Sequence, residues 1–172
     1  DKEHGLLYVV GSAPVTFLPI MLVYDIFDET TQQVIDPPVL LAEYATNLCV
    51  FDVFPRGDRL YLACLGVNLS TWRILDASSL WTNPPATPSA WNPAYTQFVN
   101  TLTPNDLGHD SYVSPDERTW FAVDEGWGVD AHMLARDLGP TPPSLNNGSM
   151  TEPPVIGVYN ASFTLLPHEP MH

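Results

Sequence analysis

Two dipeptides in this chain place a carboxylate directly after an imidazole. They are His109-Asp110 and, one apparent repeat later, His168-Glu169, with His172 just beyond. Imidazole nitrogen and carboxylate oxygen together suit zinc, copper or iron. His109, Asp110, His168, Glu169 and His172 are therefore the candidate ligands of a divalent metal. The competing role is structural, because a histidine beside an acid at a strand start also caps a turn through backbone hydrogen bonds. His4 and His132 have no repeated partner. A second set of donors runs Asp124-Glu125-Gly126-Trp127-Gly128-Val129-Asp130. Calcium takes such oxygen ligands, but the alternating Asp spacing of an EF-hand loop is absent, and a solvated acidic turn accounts for the same residues.

Covalent chemistry has weaker support. There is no G-x-S-x-G, no phosphate-cradling P-loop, no G-x-G-x-x-G and no H-E-x-x-H. Ser78, Ser79 and Ser111 have no patterned base. Trp81, Trp91 and Trp127 could stack on sugars or pack between elements, and packing is favoured by the large burial energy of aromatic rings. The two cysteines, Cys49 and Cys64, flank Pro55-Arg56-Gly57-Asp58. With that turn centred on Arg56-Gly57 they oppose each other across a hairpin, their Cβ atoms about 4.5–5.5 Å apart. A disulfide needs roughly 3.5–4.5 Å. Two readings stand: a Cys49–Cys64 disulfide, or two thiols on a strand pair. Asn68, Asn147 and Asn160 each begin an N-x-Ser sequon, with Asn147 in the clearest loop. A glycan there requires a secretory route, which a disulfide also prefers.

Composition narrows the partners. The chain has 172 residues, 45% hydrophobic and only 15% charged, enough for one domain with a core. Six Lys plus Arg against twenty Asp plus Glu give a net charge of −14. Such a surface repels phosphate, which argues against nucleic acid and anionic membranes and favours cations or an extracellular setting. No apolar run approaches the roughly 20 residues that span a bilayer. The start at Asp1, without methionine or signal peptide, reads as a mature form or a segment of something longer. Eighteen prolines against ten glycines imply many ordered loops, since proline is excluded from helices and central strands.

The elements that must carry these residues are strands. The clearest is the stretch His109–Gly126, HDSYVSPDERTWFAVDEG, two short strands about a Ser114-Pro115-Asp116-Glu117 turn. Pro115 presets φ and Asp116 hydrogen-bonds its own backbone. A weaker copy, CVFDVFPRGDRLYLACLG, spans 49–66. Further strands are expected at Gly5–Gly11, Ile20–Phe27, Val39–Tyr44, Thr71–Asp76, Tyr95–Val99, Ala131–Asp137, Val155–Tyr159 and Phe163–Leu166. Pro-rich excursions over Ser79–Pro93 and Gly139–Pro154 separate some of them. The segments repeat: LYVVG, LYLACLG and TWFAVDEG each end at glycine. MLVYDI, WRILDA and MLARDL each carry an aspartate near the strand end, at Asp25, Asp76 and Asp137. PPVLLAEY and PPVIGVY share a Pro-Pro lead.

About four strands per unit, repeating at somewhat more than the usual blade length of about 40–50 residues, is the pattern of a β-propeller with loop insertions. The units resemble LVIVD-type repeats of the YVTN-like class, on HD-x-YVSPDE-x-x-WFAVDEG, the strand bearing Asp137, and PPVIGVY. The departures are Glu117, where the usual SPDG turn has glycine, and the irregular repeat length. The resemblance implies an all-β, propeller-like single domain over 1–172, of about three four-stranded blades at 5–46, 47–108 and 109–166, with 167–172 opening a further unit. In that register His109, His168 and His172 lie at or near the starts of innermost strands, facing a central channel where some related propellers hold metal. Propellers close with about four to eight blades. Three form an open segment, to be completed by other copies or by further sequence. The expected function is an extracellular structural or binding module that self-assembles through open sheet edges, with copies of itself, or the rest of a longer propeller, as partners. The alternative is a metal-dependent oxidoreductase or hydrolase using the channel histidines and acids.

Overall fold

The computed structural model describes residues 1–2, 4–12, 19–28, 30–65, 70–99, 107–125, 132–160 and 165–166. Both proline-bearing turns form hairpins. Strand β1 covers Leu6–Ser12, β2 Pro19–Asp28 and β3 Gln33–Ala45. The second round supplies β4 (Cys49–Arg56), β5 (Arg59–Leu65), β6 (Ser70–Asp76) and β7 (Tyr95–Val99). The third supplies β8 (Leu107–Val113), β9 (Thr119–Glu125), β10 (His132–Asp137), a two-residue β11 (Gly148–Ser149), β12 (Val155–Asn160) and β13 (Leu165–Leu166). The chain is all-β, in three open sheets ordered β1-β2-β3, β4-β5-β6-β7-β11 and β8-β9-β10-β12-β13. All pairings are antiparallel except β7 with β11. The only helical pieces among the described residues lie in the first Pro-rich excursion: α1 (Ser79–Thr82) and a 3₁₀ turn at Pro88–Ala90.

Strand β3 begins earlier than expected and runs through Pro37-Pro38. It is the outer edge of its sheet, where a missing N–H breaks no ladder bond. The three aligned aspartates share one local job. Each accepts a hydrogen bond from the N–H two residues on: Asp25 from Phe27 (3.3 Å), Asp76 from Ser78 (2.9 Å) and Asp137 from Gly139 (2.8 Å). Asp76 and Asp137 close side-chain-capped turns where their strands end, and Asp25 makes the same bond at an irregularity within β2.

Successive side chains of a strand point to opposite faces, and β5 buries both. Leu60, Leu62 and Cys64 face the first sheet, packed with Met21, Val23 and Ala42. Tyr61 and Ala63 face the third sheet, with Trp72, Ile74, Phe98, Val113, Trp120 and Ala122. The sheets therefore stack face to face, β4 over β1 and β2, and β8 over β4 and β5. Trp120 is the hub of the second interface. Its ring stands edge-on to Tyr61, Trp72 and Phe98 at 5.1, 5.6 and 5.6 Å, and its Nε1–H donates to Ser111 Oγ at 2.7 Å.

The expected disulfide does not form; both cysteines are free. The turn centres on Gly57-Asp58, one residue later than expected, with Arg56 opposite Arg59. A bulge at Phe51 then shifts the register again, so Cys49 opposes Leu65 while Cys64 opposes Val50. Neighbours on one strand alternate faces, so the two sulfurs lie on opposite sides of the sheet. Burial pushes the Cys64 thiol up to about 12, away from reactive thiolate.

Glu117, the departure from a glycine turn, adopts φ +56°. Its carboxylate accepts from the buried Tyr61 hydroxyl at 2.9 Å, a bond that glycine could not make. Glu117 Oε1 also lies 3.0 Å from where a Cβ on Gly57 would sit, and Gly57 itself has φ +51°. Both the positive φ and the close carboxylate favour glycine on the facing turn.

Two measurements check this packing. Trp120→Ala should lower the unfolding free energy by about 3–5 kcal/mol, the range for emptying a large aromatic site, read as a drop in the denaturation midpoint. Alkylation without reductant should modify both Cys49 and Cys64 in unfolded protein, whereas Cys64 should stay unmodified in the native state. A mass two hydrogens short, with no adducts, would restore the disulfide.

Candidate functional site

The first strands of the second and third sheets each carry one bulge, and both bulges precede an aspartate. In β4 the extra residue is Phe51, before Asp52; in β8 it is His109, before Asp110. A bulge adds one unpaired residue and re-aims the side chains around it. It places Phe51 and His109 side by side on adjacent sheets, their ring centroids 6.1 Å apart and planes at 25°. The Asp52 carboxylate accepts the Ser111 backbone N–H at 2.9 Å, across the sheet interface. His109 Nδ1 lies 3.6 Å from Asp110 Oδ1, and both side chains are substantially exposed.

The site is therefore a row along the β4 and β8 edges of two sheets: ring, carboxylate, then ring, carboxylate. Burial raises the Asp52 carboxyl above its ordinary range, the Ser111 and Val53 N–H groups oppose that shift, and the Asp110 charge adds to it. Such a row attracts cations. Among the described residues no three His, Cys, Asp or Glu side chains converge closely enough to hold a metal ion. The sequence placed His109 and Asp110 at a strand start; β8 begins earlier, at Leu107, and the pair sits at its bulge. It missed Phe51 and Asp52, whose only signal was alignment of FDVF with HDSY. His168, Glu169 and His172 lie outside the described residues, as does Asn68; so do Gly126–Asp130 of the acidic segment and the side chains of Asp124, Glu125 and Asn160. Asn147 is exposed at φ +56°, and its Oδ1 accepts the Tyr95 N–H at 3.0 Å.

The remaining candidates pack. Ser111 is buried as the acceptor for Trp120. Trp91 is buried and donates to Ser79 at 3.1 Å. Trp81 is half-buried under the His4 ring, 3.7 Å away and nearly parallel, and His4 is itself held by Asp1 at 3.2 Å. Four of the six cationic side chains donate inward. Arg56 reaches Val113 O at 3.2 Å and Arg59 reaches Pro143 O at 2.7 Å. Arg73 donates to Tyr44 and Thr46 at 2.7 and 2.9 Å, and Arg136 pairs with Glu152 at 2.8 Å. That leaves the surface to the acids.

Comparison with known proteins finds no match for this chain among family models, curated proteins or solved structures.

Asp52 supplies the site's test. Its raised pKa means the folded state holds the proton more tightly than the unfolded one. That contribution is present below the ordinary carboxylate pKa and is lost as pH rises through the folded value. Asp52→Asn keeps an oxygen acceptor for Ser111 without the charge. The variant should gain stability relative to the parent as pH rises from about 4 to about 6, across the ordinary carboxylate range. Asp52→Ala should instead lose about 1–2 kcal/mol across that window, because the Ser111 N–H loses its partner. Parallel pH profiles for parent and Asp52→Asn would remove the assignment.

Proposed function

We propose that this chain is an extracellular β-propeller-type module, built of LVIVD-like repeats, with a structural or binding role. It associates through the unfilled ends of its stack. One observation carries the reading: the two internal interfaces use positions that recur, open, at both ends. Leu60 and Leu62 pack on the first sheet, and Trp120 and Ala122 pack on the second. By register the matching residues of the first sheet are Leu7 and Val9, which are 44% and 42% exposed. With their ladder partners Leu22 and Tyr24 they make an apolar face. At the other end Phe121, Val123, Met133 and Tyr159 lie on the third sheet's far face, with Tyr112 47% exposed. Tyr61 and Ala63 hold the matching positions of the second sheet and are fully buried. Apolar sheet faces of this extent mark interaction surfaces. The unlike ends suit head-to-tail contact, which closes a ring or extends a fibre according to its rotation. The acidic surface and the exposed sequon at Asn147 support the extracellular setting.

Light scattering at micromolar concentration should give a mass above the 19.0 kDa of one chain. Val9→Glu and Met133→Glu should each reduce it, because each spoils one end. Mixing the two variants should restore a pairwise complex through their remaining good ends. A monodisperse single-chain mass for the parent would overturn assembly.

A further inference from the structure

The first sheet is built like the other two, but its order begins one strand later. The aligned aspartates Asp25, Asp76 and Asp137 stand opposite Leu6, Arg59 and Thr119. Strand β1 is therefore the counterpart of β5 and β9, the second strands of their sheets. Each of those has an inner strand beside it, β4 or β8. Among the described residues no strand pairs with β1 on that side, and only Asp1 bonds it there, at Leu6.

We propose that the free edge of β1 is an acceptor for one further antiparallel strand of the β4 and β8 pattern: an aromatic or imidazole residue, a carboxylate, then alternating apolar residues. The occupant is an extended peptide segment of that chemistry, added by main-chain pairing as in other strand-addition complexes. The inference builds on the stacked-sheet module above and names what its first sheet binds.

Three features support it. The backbone beside β1 already runs in the required register. Asp1 and Leu6 exchange both main-chain hydrogen bonds, at 2.9 and 3.0 Å. At the matching place in the third sheet Ser114 N–H bonds Thr119 O at 2.9 Å, where β8 hands over to β9. Next, β8 lies over β4, β5 and β6, whereas among the described residues β4 packs mainly over β1 and β2, so the place opposite the inner half of β4 belongs to a strand beside β1. Last, β4 presents the groups such a strand would meet. Phe51 stacks on His109 yet remains 37% exposed, and an incoming bulge ring fits its other side. The Asp52 carboxylate crosses to the N–H of Ser111, the residue after Asp110, so a carboxylate at this place on a strand beside β1 would face the bulge of β4.

The probe is a synthetic peptide with the sequence of residues 107–114, LGHDSYVS, added to the 172-residue chain. Hydrogen exchange is followed over Leu6–Ser12. The expected result is saturable binding of one peptide per chain, with exchange in β1 slowed about tenfold or more. A peptide with Asn in place of its aspartate should bind more weakly, and one with proline in place of its tyrosine should not protect β1. These changes sit in the peptide, so folding of the protein does not confound them. No slowing at millimolar peptide, equal slowing by a scrambled peptide, or protection confined to another edge would overturn the proposal. Assembly seen by light scattering together with such a negative result would remove this inference alone and leave the module reading standing.

Discussion

The constraint on which this protein rests is that its sheets are apolar on both faces. A sheet with one wet face alternates polar and apolar residues. The run Leu60-Tyr61-Leu62-Ala63-Cys64 does not alternate, and all five side chains are at most 1% exposed. Such a strand is stable only between two other layers. The middle sheet therefore requires neighbours on both sides, and it has them. Among the described residues the outer sheets have one neighbour each, and their far faces stay apolar and accessible.

Polar groups decide how the layers register. Hydrophobic faces slide, whereas a carboxylate bonded to one N–H does not. Asp52 on Ser111, Tyr61 on Glu117 and Arg56 on the Val113 carbonyl all cross the second interface, near β4, β8 and their turns. Across the first interface Arg73 reaches Tyr44 and Thr46 while its guanidinium lies 4.6 Å over the Tyr95 ring. Arg136, fully buried, holds the long loop before β12 through Glu152 and the Pro153 carbonyl. A chain with six cations uses most of them as internal clamps, and its acidic exterior follows from that placement as much as from its many carboxylates.

The two matching bulges explain the candidate site. Phe51-Asp52 and His109-Asp110 are the same structural position, one with a phenyl ring and one with an imidazole. The shared carboxylate has a demonstrable structural job in the second sheet, on Ser111. Its counterpart Asp110 is exposed beside the His109 ring.

Much of this was legible in the residues. Pro55-Arg56-Gly57-Asp58 and Ser114-Pro115-Asp116-Glu117 announced their turns, and β-branched and aromatic runs announced the strands, because both signals are local. The three aligned aspartates were legible as a repeat for the same reason: each bonds a backbone group two residues away. The bulges were not, since nothing in Phe51 or His109 as residue types demands an extra place in the ladder. That single unpaired residue, with a turn displaced by one position, put Cys49 and Cys64 on opposite faces. The parallel contact of β11 with β7 was equally hidden, because residues more than fifty apart meet there through the packing of a loop. Sequence alone determined the strands, the turns and the acidic balance. Which faces meet, which side chains clamp them and which edge stays open were decided by tertiary structure, because register and stacking depend on groups distant in the chain.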